Sequence, residues 1–407
     1  MKVYKFRLYP SAEQEKILIR QLSLCRELYN AFLQQRIYAH KEGKRINYNY
    51  QQDQIPELKG GIIDYKNVHS QVLQDVARRM DVAYQNFFRR IMEKKSGKQQ
   101  KAGFPRFKSR NRYNSITYPQ SGFRILDNGH VWLSKIGEIR MFMHRPITGT
   151  VRTLSVKRDN VGDWFITVTT DQNTDNVPDA QYGEHHPHDF VNPIGIDLGL
   201  KALITTSDSD WIDSPRFLRK SEKKLKRAQR DLSRKVKGSG KREKAGKMVA
   251  KIDRKIQRQR NDHAHKVSVD LITGHDLIVF EDLNIEGMKQ NHHLAKSIAD
   301  ASWNKLIQYT TYKAESAGRE VVLADPRGTS KTCSRCGWKK ESLKLSERTF
   351  SCDSCGLIID RDINAAINIR NRGLIKVGRG TPEFTPVEIG ALPAMAIPVV
   401  EPGSSLL

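Results

Sequence analysis

The first residues, "KVYKFRLY" (2–9), alternate, with Tyr4, Phe6 and Leu8 on one side and Lys5 and Arg7 on the other, as a half-buried strand requires. Pro10 ends the run. "SAEQ" (11–14) then supplies a Ser-x-x-Gln capping box, and Leu18, Leu22, Cys25, Tyr29 and Phe32 recur at three- and four-residue steps, which predicts an amphipathic helix with Cys25 in its core face. Leu73, Val76, Met80, Ala83 and Phe87 keep that spacing and predict a second helix near 66–95. The other side of that helix carries Gln71, Gln74, Arg78, Arg89 and Arg90. Such a face is usually only solvated, but amides among cations also suit nucleic-acid backbone and base edges. "KAGFPRFKSR" (101–110) breaks the helical pattern and interleaves Phe104 and Phe107 with Lys101, Arg106, Lys108 and Arg110. That mixture fits a chain gripping nucleic acid, and equally a basic loop anchored by two core aromatics. From Tyr113 to Asp171, short alternating segments cut by "DNG" and "DNVGD" predict antiparallel hairpins, hence a small barrel or sandwich.

The polar, turn-rich stretch 172–193 marks a domain boundary. Its His185, His186 and His188 lack cysteine or clustered acid partners, so metal binding there is not expected. Beyond it, "PIGIDLG", "KALITTS" and "DLIVFEDLN" read as buried strands. Between them lies a helical hairpin turning at "KGSGK", with Leu218, Leu225 and Leu232 on one seam and Ile252, Ile256 and Val267 on another. The last 35 residues, from Gly373, are rich in Pro and Gly without periodicity, the composition of a disordered tail.

Charge changes this picture. The chain of 407 residues is 38% apolar, enough for two or three packed domains, yet carries a net charge of +25. Residues 216–266 alone hold 21 Lys or Arg against 5 acids, a self-repelling density that phosphates would neutralise. Nucleic acid is the expected partner, with an anionic membrane surface the plainer rival. No apolar run is long enough to span a bilayer and no leader is visible, so a cytoplasmic protein without disulfides is expected.

Four of the five cysteines form two C-x-x-C pairs, Cys333 with Cys336 and Cys352 with Cys355, fifteen residues apart, each followed by a glycine. That spacing matches a closed tetrahedral sulfur site for structural Zn²⁺. A closed site performs no chemistry, so catalysis must be sought nearby. Asp197 ends the apolar run "IGID" and Glu281 stands at the exit of "LIVF", positions where α/β sheets build sites. If "DINAAINI" is a helix, Asp362 shares a face with Ala365, Ala366 and Ile369, small residues that let it approach a sheet. Asp360 precedes the first turn, and Asp362 is the preferred third acid. Three such carboxylates suit Mg²⁺ or Mn²⁺, and ions about 4 Å apart can drive phosphodiester hydrolysis. For each acid alone, a cap or surface role is the simpler reading.

Taken in order, "KFRLYPSAEQ", "CRELYNAFL", "GFPRFKS", "GIDLG", "VFEDLN", "TSKTCSRCG", "FSCDSCG" and "DRDINAAINI" resemble the TnpB proteins of insertion sequences, relatives of type V CRISPR effector nucleases. The resemblance spans nearly the whole chain. It implies a multidomain α/β plus β-barrel architecture. An RNase H-like, RuvC-type nuclease (190–330 and 357–372, with the basic hairpin at 216–272) would hold an inserted zinc ribbon (331–356). An N-terminal wedge β-barrel (1–9 and 104–185) would hold a helical recognition domain (10–103), and a disordered tail (373–407) would follow. It implies Asp197, Glu281 and Asp362 as metal-binding acids. It further implies a guide RNA derived from the element's end, cleavage of double-stranded DNA beside a short flanking motif, and one protein copy per ribonucleoprotein. Gln74 and Gln71 would lie near that motif, and Arg106, Lys108 and Arg110 along the RNA or heteroduplex. A nuclease-silent RNA-guided repressor and a transposase acting directly on DNA ends are the alternatives.

Overall fold

The computed structural model describes residues 1–97, 101–171, 190–344 and 346–378. His185, His186, His188, most of the boundary segment and the tail from 379 lie outside the described residues. The described chain divides into two compact units, residues 1–171 with 235–251, and 190–234 with 252–378.

The first unit opens on β1 (Lys2–Tyr9), whose Tyr4, Phe6 and Leu8 are buried as their alternation predicts. The capping box forms: Gln14 N–H donates to Ser11 Oγ (3.2 Å) and Ser11 N–H to Gln14 Oε1 (3.0 Å), starting α1 (Ala12–Lys41). Cys25 is fully buried in this helix, and burial pushes its thiol up to about 12. Two short helices, α2 (Tyr48–Asp53) and α3 (Ile55–Gly61), precede α4 (Ser70–Lys95), which buries Leu73, Val76 and Met80. Six strands follow: β2 (Ser115–Tyr118), β3 (Phe123–Ile125), β4 (His130–Leu133), β5 (Gly137–Phe142), β6 (Thr150–Arg158) and β7 (Trp164–Asp171).

With β1 these make one antiparallel sheet in the order β2-β6-β7-β1-β5-β4-β3. Its edge strands β2 and β3 are separated by only residues 119–122. A flat seven-stranded sheet would hold its edges about 29 Å apart at about 4.8 Å per strand. Five peptide steps reach only about 17 Å. The sheet therefore curls into a nearly closed barrel, with the Tyr118 and Phe123 rings 6.5 Å apart across its edges.

In the second unit, β8 (Pro193–Leu198), β9 (Ala202–Thr206) and β10 (Trp211–Asp213) form an antiparallel meander. Helices α5 (Phe217–Arg234) and α6 (Gly240–Gly274), the latter belonging to this unit from Ile252 onward, flank the predicted turn. The α5 seam is only half-buried, whereas Ile252, Ile256 and Val267 of α6 are buried. Strand β11 (Leu277–Glu281) is buried along its whole length, and α7 (Ile285–Met288), α8 (His292–Ala301) and α9 (Trp303–Ser316) lead to β12 (Glu320–Ala324). The sheet order is β10-β9-β8-β11-β12, with β11 parallel to both β8 and β12. Two short strands, β13 (Thr349–Ser351) and β14 (Ile358–Asp360), precede α10 (Arg361–Lys376).

Helix α10 lies directly on β8. Ala365, Ala366 and Ile369 are fully buried, as their spacing predicts. A Cβ built on Gly195 of β8 would come within 2.1 Å of the Ala366 carbonyl oxygen and 2.5 Å of the Arg370 nitrogen. Gly373 is pressed as closely on Val279. The helix thus runs past Gly373, where the composition predicts the start of the tail, because Gly373 and Leu374 still pack on the sheet. Among the described residues, no helix is long and apolar enough to cross a membrane.

Candidate functional site

Each cysteine pair builds the same turn. Gly337 N–H donates to Cys333 O (3.0 Å) and Gly356 N–H to Cys352 O (3.0 Å), while Cys333 N–H reaches Trp338 O (2.8 Å) and Cys352 N–H reaches Leu357 O (2.9 Å). Gly337 (φ +77°) and Gly356 (φ +70°) adopt the left-handed backbone that glycine tolerates best. Strands β13 and β14 pair through Phe350 and Ile359, so the second strand lies beyond residue 356, the predicted end of the ribbon. The result is four Sγ atoms within 4.8 Å of one another, with Cys333 to Cys355 at 3.7 Å and Cys336 to Cys352 at 3.5 Å. Zn–S bonds of about 2.3 Å in a tetrahedron separate sulfurs by about 3.8 Å, so the quartet fits zinc.

The acids are arranged differently. Asp197 lies in β8, in register with Thr205 of β9. Burial, then the negative charges of Glu281 and Asp362, push its carboxyl up to about 8, with Arg361 opposing. Glu281 closes β11, is 7% exposed, and accepts a 2.8 Å hydrogen bond from Thr329 Oγ1. Burial holds its carboxyl above the usual range, opposed by the Thr329 bond and the Arg372 charge. Asp362 stands in the first turn of α10. Its Oδ1 accepts from Arg361 Nε (3.1 Å) and Nη2 (2.9 Å), and its Oδ2 from Arg348 Nη1 (3.3 Å). Asp360 instead caps α10, its Oδ1 accepting from the N–H groups of Asp362 (2.8 Å) and Ile363 (3.2 Å).

The three acids therefore share an electrostatic neighbourhood without the tight spacing of the thiols. Among the described residues, the cysteines are the one group of three or more Cys, His, Asp or Glu side chains with ligand atoms all within 4.8 Å. Sequence reasoning did not single out Arg348, Arg361 or Thr329. The one available signal was Arg361, lodged between the acids in "DRD".

In the first unit, Gln74 is half-buried and Arg78 exposed on α4, while Gln71 Oε1 is taken by the Ser121 N–H (2.9 Å). Arg106 and Arg110 are exposed. Lys108 is clamped by Asn30, which accepts from its N–H (2.8 Å) and donates to its carbonyl (3.0 Å), and its ammonium lies 5.5 Å from the Tyr29 ring centre. Tyr29, Asn86, Lys108, Arg112 and Tyr113 are among the residues lining a cavity of about 300 Å³. Phe104 and Phe107 remain 45% and 49% exposed and so are not core anchors, although Phe104 meets Phe87 edge-on at 5.2 Å.

Comparison with known proteins matches three family models: "Helix-turn-helix domain" over residues 1–45, "Probable transposase" over 168–292 and "Cas12f1-like, TNB domain" over 303–369. The first of these segments folds here as β1 followed by one continuous helix, α1. Two relatives bear the name "Putative RNA-guided DNA endonuclease". One, from Streptomyces pristinaespiralis, is 33% identical over 381 residues, 92% of this chain and 89% of its own. The other, InsQ of Escherichia coli strain K12, is 30% identical over 391 residues, 92% of both chains. A "TnpB-like protein L79" of Acanthamoeba polyphaga mimivirus is 29% identical over 197 residues, 45% of this chain and 38% of that one. With similarity running through nearly the full length of two such relatives, the chain belongs to the TnpB family.

Proposed function

We propose that the protein is an RNA-guided, divalent-metal-dependent DNA endonuclease in which Asp197, Glu281 and Asp362 hold the catalytic ions. The observation that carries this reading is Asp197, a carboxyl pushed up to about 8 by burial and by two further acids arriving from other elements. An arrangement that costs the folded chain this repulsion makes sense where a cation relieves it. The oxygen-only donor set fits Mg²⁺ or Mn²⁺, which when bound would activate water and stabilise the leaving 3′ oxygen of a phosphodiester. The strand order β10-β9-β8-β11-β12, with α10 laid on β8, supports an RNase H-like, RuvC-type nuclease.

The chain's own residues divide the remaining roles. Arg361 and Arg348 hold Asp362 in place and add positive charge beside the expected phosphate path. The 216–266 stretch, with 21 cations against 5 acids, would grip nucleic-acid backbone, and so would Arg106, Lys108 and Arg110. Gln74 and Arg78 would lie on the face that meets the flanking DNA motif. The cysteine quartet would hold Zn²⁺ as a purely structural ion, and the barrel would serve as the wedge domain. The names of the relatives support RNA as the guide. The model named "Probable transposase" favours a second reading, direct action on DNA ends, which needs no RNA.

Co-purification and sequencing of bound RNA separates these two readings. An Asp197→Ala variant, incubated with guide RNA, matching plasmid and Mg²⁺, is expected to bind target but leave it uncut. Cleavage at the parent's rate would remove the assignment.

A further inference from the structure

Asn364, Asn368 and Arg372 follow one another at four-residue steps along α10 and so form a single stripe. Each spends its polar atoms on the same irregular segment, 325–334. Arg372 Nη1 donates to the carbonyls of Asp325 (2.7 Å) and Arg327 (2.9 Å). Asn368 Nδ2 donates to those of Thr329 (2.8 Å) and Thr332 (2.7 Å). Asn364 Nδ2 donates to the Thr332 carbonyl (2.8 Å), and its Oδ1 accepts from Ser334 N–H (2.9 Å), inside the first cysteine turn. Asn364 is fully buried and Asn368 is 8% exposed, so these amides have no water to fall back on.

Satisfying the carbonyls of an irregular buried segment would by itself explain the stripe. Thr329 goes beyond that. It is 3% exposed, its backbone is fixed by Asn368, and its hydroxyl donates to Glu281 Oε1 at 2.8 Å, a shorter contact than the 3.2 Å to the Pro326 carbonyl. A hydroxyl has one proton, and the shorter contact places it on the carboxylate. A bond at Oε1 restrains the rotation of the Glu281 carboxylate.

We infer that Thr329 is a positioning residue for Glu281, and that the α10 stripe joins Glu281 and the cysteine turn through one splinted segment. The inference rests on the metal-dependent reading above, and goes beyond it by naming the group that orients one ligand and its mechanical tie to the ribbon. Partners that orient a ligating carboxylate typically carry about 10- to 100-fold in metal affinity.

The test is Mn²⁺ titration of the full-length, zinc-loaded, nucleic-acid-free protein, followed by electron paramagnetic resonance. Thr329→Val keeps the shape of the side chain and removes the donor; it is expected to weaken Mn²⁺ binding about tenfold while melting within a few degrees of the parent. Thr329→Ser restores the donor and should bind within about twofold of the parent. If Thr329→Val binds as the parent does while Asp197→Ala loses the ion, Thr329 is only a packing residue and the inference is overturned. If Asp197→Ala also binds like the parent, the carboxylate site itself is misassigned, and this inference goes with it.

Discussion

The four thiols between 333 and 355 stand within 4.8 Å of one another, whereas the carboxylates of Asp197, Glu281 and Asp362 share a neighbourhood without that spacing. The contrast follows from how each group is encoded. Two tight turns bring the thiols together, and each turn is encoded within a few residues of its cysteines. The carboxylates come from two strands and a helix; burial, and then the charges of Glu281 and Asp362, drive Asp197 toward its protonated form, while Asp362 is engaged by Arg361 and Arg348. The soft site is assembled in advance by local sequence. The carboxylate neighbourhood depends on how distant elements are stacked.

The largest expected effect attacks the preassembled side. Structural zinc in small ribbons contributes on the order of 10 kcal/mol, and the ribbon core of Phe350, Cys333 and Cys352 is too small to replace it. A Cys336→Ser/Cys352→Ser double variant should therefore carry no zinc, become protease-sensitive between β12 and α10, and lose DNA cleavage. A metal-free ribbon that stays folded would erase the distinction.

The next sharpens the other side. The Asp197 carboxyl is raised from its ordinary 3.8 to about 8, so the folded protein retains a proton that the unfolded chain releases across that window. Stability of the protein without divalent cation should then fall as pH rises from 3.8 to about 8 and level off above it. Asp197→Asn lacks this loss. In melts of the two proteins, the variant's advantage should widen up to about pH 8 and then stay constant; an advantage independent of pH would contradict the shift.

The smallest effect concerns Asp360. As the cap of α10 it should cost about 1 kcal/mol of stability when replaced by alanine, with little change in Mn²⁺ affinity. A large loss of metal with unchanged melting would move the third ligand from Asp362 to Asp360.

Much of this was legible in the chain itself. The Ser11 and Gln14 capping box, the buried side of β1, the cysteine turns and the Ala365–Ala366 face of α10 are all local patterns, and each forms as its spacing predicts. Helices α2 and α3 escaped because six or seven residues are too few to show a period. Gly373 misled because a glycine that packs on Val279 looks, in composition, like the start of a tail. Thr329, Arg348 and the Asn364–Asn368–Arg372 stripe could not be assigned, since each acts on a partner brought near only by the fold. The strand pattern left barrel and sandwich both open, and the resemblance alone pointed to closure. Closure depends on which strands become edges, not on the strands' own residues.

Gly195 has no side chain to donate, accept or carry charge, yet it helps set where an acid on another element can be. What a side chain there would strike is main chain, the Ala366 carbonyl and the Arg370 amide, neither of which can swing aside as a rotamer can. The whole rod would have to lift, and Asp362 rides at its head, one turn before Ala366. A search for important positions that looks only for reactive groups would pass over residue 195, although the aspartate's location is partly written there as an absence of atoms.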